Sequence, residues 1–138
     1  MQVQLVLTLA ASFLAAPVPK AETKDEQAIQ GTWLIVSAER DGKPFDEIKG
    51  EKLILKDGNA TSTNKGKEEK ATYKINPTTK PKRIDFTPEK ETKSLRGIYE
   101  LTGDSLKVCM AKPGDARPDE FSGKGEGRLL IVLKRQKK

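Results

Sequence analysis

Gln30-Gly31-Thr32-Trp33-Leu34-Ile35-Val36-Ser37 holds the only tryptophan of the chain, and its reading decides the fold. β-Branched and aromatic residues dominate residues 32–40, which read as a first strand. Trp33, Ile35 and Ser37 share one face by period-two alternation; Leu34, Val36 and Ala38 share the other. Both faces start apolar, so cover on both sides is expected. Just upstream, residues 25–30 begin with Asp25 and Glu26 and stop at Gly31. That pattern predicts one or two helical turns.

Working outward, the same kind of segment recurs. Asp41-Gly42-Lys43-Pro44 is a turn, with Gly for positive φ and Pro to fix φ. Further strands are predicted over 51–56, 60–63, 69–75, 82–87, 95–101, 105–111 and 128–135. Asp57-Gly58-Asn59, Asn64-Lys65-Gly66-Lys67, Asn76-Pro77 and Thr102-Gly103-Asp104 separate several of them with turn chemistry. Ala71, Tyr73 and Ile75 alternate onto one face, as do Ile84 and Phe86, and then Leu106, Val108 and Met110. No helix-period segment intervenes. The pattern is antiparallel all-β, a sandwich or an up-and-down barrel. Gly97, on the face of Leu95, Tyr99 and Leu101, fits the curvature of a small barrel. The expected fold is therefore all-β: about eight antiparallel strands in an up-and-down barrel, with a short N-terminal helix.

Composition narrows the function. The 138 residues suffice for one domain with a core. The net charge of +6 comes from 26 basic and 20 acidic residues. They are interspersed, which describes a solvated surface rather than a nucleic-acid footprint. Aromatics are only 5%, too few for a base-stacking platform. Histidine is absent, which removes the commonest general base and metal ligand. The single cysteine, Cys109, excludes an intramolecular disulfide and a Cys-x-x-Cys site. It shares a face with Lys107 and Ala111 and reads as a small hydrophobe. No catalytic triad, metal set or cofactor motif stands out, so a non-enzymatic protein with no cofactor and no metal is expected.

Residues 1–21 read as a secretory signal peptide, with cleavage after Ala16 or after Ala21. The apolar run 3–16 is too short to span a bilayer. Residues 22–138 then form one domain, expected to be a monomer that is secreted or held in the periplasm or cell envelope.

Gly31-x-Trp33 at the start of the first strand, a short helix before it and Arg135 at the end of the last strand resemble the lipocalin family. The resemblance implies that Trp33 sits at the closed end of an eight-stranded barrel with Arg135 packed across its indole. Gly31-Thr32-Trp33, Asp41-Gly42-Lys43, Lys80-Pro81-Lys82-Arg83-Ile84-Asp85, Gly97-Ile98-Tyr99-Glu100-Leu101, Gly103-Asp104-Ser105-Leu106-Lys107-Val108-Cys109 and Arg117-Pro118-Asp119-Glu120-Phe121 occur in that order. Together, over nearly the whole mature chain, they resemble a small secreted lipocalin-like domain family abundant in planctomycete bacteria. That resemblance implies barrel and export and leaves activity open.

Three sets of residues become candidates. Tyr73, Ile84, Phe86, Tyr99 and Met110 face a barrel interior by alternation and would line a site for a small apolar or amphipathic ligand. Gly31, Trp33 and Arg135 would close one end. Arg117, Pro118, Glu120 and Phe121 lie in the long loop 112–127; they would brace the barrel, plug an end, or form a lip toward a ligand or an envelope protein. The competing reading is a filled barrel that serves the cell envelope as a protein-interaction or structural module with no small-molecule ligand.

Overall fold

A computed structural model describes residues 24–137. The expected signal segment lies outside the described residues. A five-residue helix α1 (Lys24–Ala28) precedes strands β1 (Gly31–Arg40), β2 (Lys43–Pro44), β3 (Lys52–Lys56), β4 (Asn59–Asn64), β5 (Lys67–Asn76), β6 (Lys82–Pro88), β7 (Leu95–Thr102), β8 (Ser105–Met110) and β9 (Leu129–Arg135). Every pairing is antiparallel. The order runs β1-β3-β4-β5-β6-β7-β8-β9, and β9 returns to β1. The result is a closed eight-stranded up-and-down barrel; β2 is an extra two-residue strand on β1.

Local chemistry sets the hairpins. Asp41-Gly42, Asp57-Gly58 and Lys65-Gly66 all have positive φ at both central residues. These are the turns whose twist matches that of the flanking strands. Pro44 therefore does more than fix a turn. Lys43 and Pro44 pair with Arg40 and Glu39 as β2, at the free edge where a missing N–H is tolerated. The chain then swings out through a single 3-10 turn, Asp46–Ile48, and returns with Gly50 N–H donating to Ile35 O at 2.9 Å.

One expectation of the sequence reading fails in the middle of β1. Opposite Leu133 and Val132 stand Ile35 and Ser37, so Val36 is an extra residue in the ladder, a β-bulge. The bulge reverses the phase of alternation. Ser37 turns out to solvent, and Ala38, opposite Ile131, turns in and is buried. The face shared by Trp33 and Ile35 continues through Ala38 and Arg40.

The interior has two tiers. Trp33, Leu55, Ile84, Tyr99, Leu106 and Leu133 fill the end near α1 and are at most 1% exposed. Toward the other end the core thins to Ala60, Ala71, Phe86, Met110 and Ile131. Gly97 lies inside: a Cβ there would meet Cys109 O at 2.7 Å and Met110 Cγ at 3.0 Å. The β7–β8 approach needs that missing side chain.

Candidate functional site

The end near α1 is sealed. Trp33 Nε1–H donates to Ile29 O at 2.8 Å, which satisfies the indole and pins the residue after α1 over it. The Arg135 guanidinium lies 4.3 Å from the Trp33 ring centroid. Such a contact contributes roughly 0.5–2 kcal/mol. Its Nη1 and Nη2 donate to Gln30 O at 2.8 Å and Ala28 O at 2.6 Å, and Nε donates to Asp104 at 3.1 Å. Gly31 makes room for this: φ is +134°, and a Cβ would lie 2.8 Å from Arg135 Nη1. Gly31, Trp33 and Arg135 thus come together in one closure.

Asp25 is a member of that closure which the sequence reading missed. Its carboxylate accepts from Tyr99 Oη at 2.6 Å and from Lys82 Nζ at 2.8 Å. Burial by itself raises the Asp25 pKa, but the hydrogen bonds from Lys82 and Tyr99 outweigh it and hold the carboxyl below its ordinary value. Burial, then the hydrogen bond to Asp25, pushes the Tyr99 phenol far up. An acidic residue in the first turn of a short helix reads as a helix-start signal. Its partners are far away in sequence, so nothing local gives it this second role.

The ends of the loop 112–127 stand at the open rim, where Lys112, Pro113, Glu126 and Gly127 lie beside Arg40, Met110 and Leu129. Between them the loop runs across the outside of the barrel. Arg117 Nη1 donates to Asp85 Oδ1 on β6 at 2.5 Å and to Gly97 O on β7 at 2.8 Å. Pro118 is buried, Glu120 is exposed, and the half-buried Phe121 ring has Lys107 Nζ 5.6 Å from its centroid. Further along, Gly42 N–H donates to Gly123 O, and Gly127 N–H to Asp41 Oδ1. This strap covers the outward-facing Ile98 and Cys109, which are 1% and 0% exposed. The Cys109 thiol donates to Ser122 O at 3.3 Å, and burial pushes its pKa up. A buried thiol held in its protonated form is a poor nucleophile. Asp85, an outward strand carboxylate, is the anchor of the strap.

The opposite end is open and holds a cavity of about 280 Å³. Ile35, Leu53, Ala71, Phe86, Met110 and Ile131 line its depth; Phe45 and Ile48, from the excursion between β2 and β3, lean over its mouth. Arg40, Glu51, Lys52, Glu69 and Lys70 stand on the lining at the rim. Of the five residues expected on an interior site, Phe86 and Met110 line this cavity. Tyr73, Ile84 and Tyr99 also face inward but belong to the packed tier. The mouth residues Arg40, Phe45 and Ile48 escaped the sequence reading. Phe45, a lone aromatic between Pro44 and Asp46, was the only local signal for them.

Among the described residues no group of acidic or cysteine side chains could hold a metal ion, and no helix is long and apolar enough to cross a membrane. In comparisons with known proteins, no family model, curated protein or solved structure matches this chain.

Proposed function

We propose that this chain is an exported, non-enzymatic lipocalin-like domain, of the kind abundant in planctomycete bacteria, that binds a small apolar or amphipathic ligand at the open end of its barrel. The observation that carries the reading is the cavity of about 280 Å³ with an apolar wall and a charged rim. Pockets for small molecules have this build: a mostly apolar lining with few polar groups placed at the edge. Size limits the guest. A cavity of about 150 Å³ holds one benzene ring, so this one takes about ten non-hydrogen atoms.

Titration with 1-octanol, followed by native mass spectrometry, tests it. One equivalent bound is expected. No binding at saturating octanol overturns the reading and leaves the envelope-module alternative. That alternative draws on the packed tier around Trp33 alone; residues 112–127, the loop it would use, spend Arg117 and Pro118 on the barrel's own wall.

A further inference from the structure

The mouth of the cavity carries a cation, Arg40, whose N–H groups the described residues leave without an acceptor. Arg40 ends β1 opposite Leu129, whose side chain belongs to the inner face. Without the bulge at Val36, Arg40 would fall on the outer face with Leu34. The extra residue re-aims it toward the cavity, and bulges at barrel rims commonly have that effect. The guanidinium carbon lies 4.2 Å from the Phe45 ring centroid, which holds the fork beside the mouth. Among the described residues the Arg40 side chain makes no hydrogen bond and no ion pair. Its five N–H donors are unspent. Arg117 and Arg135, by contrast, are committed to Asp85 and to Asp104.

The two rim carboxylates do not offset it equally. Glu51 accepts from Thr63 Oγ1 at 2.9 Å and from Lys65 N–H at 2.6 Å, so its oxygens are occupied. Glu69 lies on β5 opposite Ser62, between Glu68 and Lys70. Lys52 adds a further cation to the lining. The lining carries three cations, Arg40, Lys52 and Lys70, against two carboxylates, Glu51 and Glu69, and among the described residues its only planar fork is Arg40. A fork of that shape matches a carboxylate, which it can bind through two parallel hydrogen bonds.

We propose that the cavity takes a small apolar carboxylic acid, a medium-chain or single-ring acid, with its hydrocarbon on Phe86, Met110 and Ile131 and its carboxylate on Arg40. This rests on the open-end cavity being a ligand site. A single charge-assisted pair at a solvent-facing rim is expected to shift affinity by about tenfold.

The test compares octanoate, 1-octanol and octylamine by titration calorimetry on the full chain, wild type against Arg40→Gln and Arg40→Lys. In the wild type, octanoate is expected to bind about tenfold more tightly than octanol, with octylamine weakest. Arg40→Gln erases the preference for the acid, with octanoate losing about tenfold more affinity than octanol. Arg40→Lys keeps part of the preference, since the charge remains and the fork does not. Equal binding of acid and alcohol by the wild type overturns the carboxylate assignment and leaves the cavity reading standing. An equal loss for acid and alcohol in Arg40→Gln also overturns it, because Arg40 would then only hold Phe45 in place. Absence of binding by all three overturns both.

Discussion

The two ends of this barrel are made by the same eight strands, yet one is full and the other is hollow. At the sealed end each large side chain with a polar tip finds a partner: Trp33 has Ile29 O, and Tyr99 has Asp25. No buried side-chain nitrogen or oxygen among the described residues lacks one. Arg135 covers the indole, and the barrel packs with side chains as large as Trp and Tyr. At the open end the inward positions pass to Ala60, Ala71 and Ser62, and Arg40 and Glu69 take the last inward places. Strand number fixes the width of the tube, and residue size then decides whether it is filled. A cavity here is a matter of a few small side chains.

That contrast can be broken from the sealed side. Trp33→Ala should cost about 3–5 kcal/mol, because it deletes a fully buried indole together with its partners. Urea unfolding followed by far-UV circular dichroism measures it. A loss under about 1 kcal/mol would mean that the sealed end is not the stable half.

The strap comes next. Arg117→Ala removes a forked contact to Asp85 and a hydrogen bond to Gly97 O. Asp85 is more than a third exposed, so the expected loss is discounted to about 1–2 kcal/mol. The sharper readout is Cys109: its reaction with a thiol reagent should accelerate once Ser122 no longer lies over it. An unchanged rate would show that the strap is held by the glycine contacts near Asp41 instead.

Acid probes the helix at the seal. The Asp25 carboxyl is held below its ordinary 3.8 in the folded protein. Its contribution is therefore complete above that value and is lost as the pH falls through the folded value. Asp25→Asn should lower stability by about 1 kcal/mol at pH 7 and flatten the decline on acidification below about pH 4. Stability measured across that range, wild type against variant, decides; parallel curves would remove Asp25 from the closure.

The smallest effect on stability should come from the hollow side. Ala71→Leu places bulk where there is space, so the change should stay within about 1 kcal/mol. Octanol binding should nonetheless fall below detection. A full loss of stability there would mean that the open end is as tightly packed as the sealed one.

Much of this fold is legible in the chain, for local reasons. Tyr73 and Ile75, or Ile84 and Phe86, alternate over stretches long enough to fix a face, and Asp57-Gly58 writes its turn directly. The closed end near Gly31 and Trp33 is implied only by the family resemblance, not by local pattern. What escaped depends on registers and partners that sequence does not carry. The bulge at Val36 has no glycine or proline to mark it, so the true face of Arg40 was hidden. Pro44 looks like a turn residue and is an edge strand. Arg117 and Asp85 are each ordinary surface charges until the barrel curves them together. The candidate site was read by alternation alone, which gives inside against outside but not height along the axis. Phe86 and Met110 could not be told from Tyr73, Ile84 and Tyr99 on that basis.

The β1–β9 seam has a consequence for how the molecule is made. The first strand has one edge unpaired until the last strand exists, since Trp33 sits opposite Arg135. A sheet of these strands without β9 is open, with two free edges, the form that invites pairing with neighbouring chains. Closure joins residues from the two ends of the barrel's sequence, which places folding among the slow, non-local topologies. For a growing chain the interval with unpaired edges lasts until Leu129–Arg135 arrives.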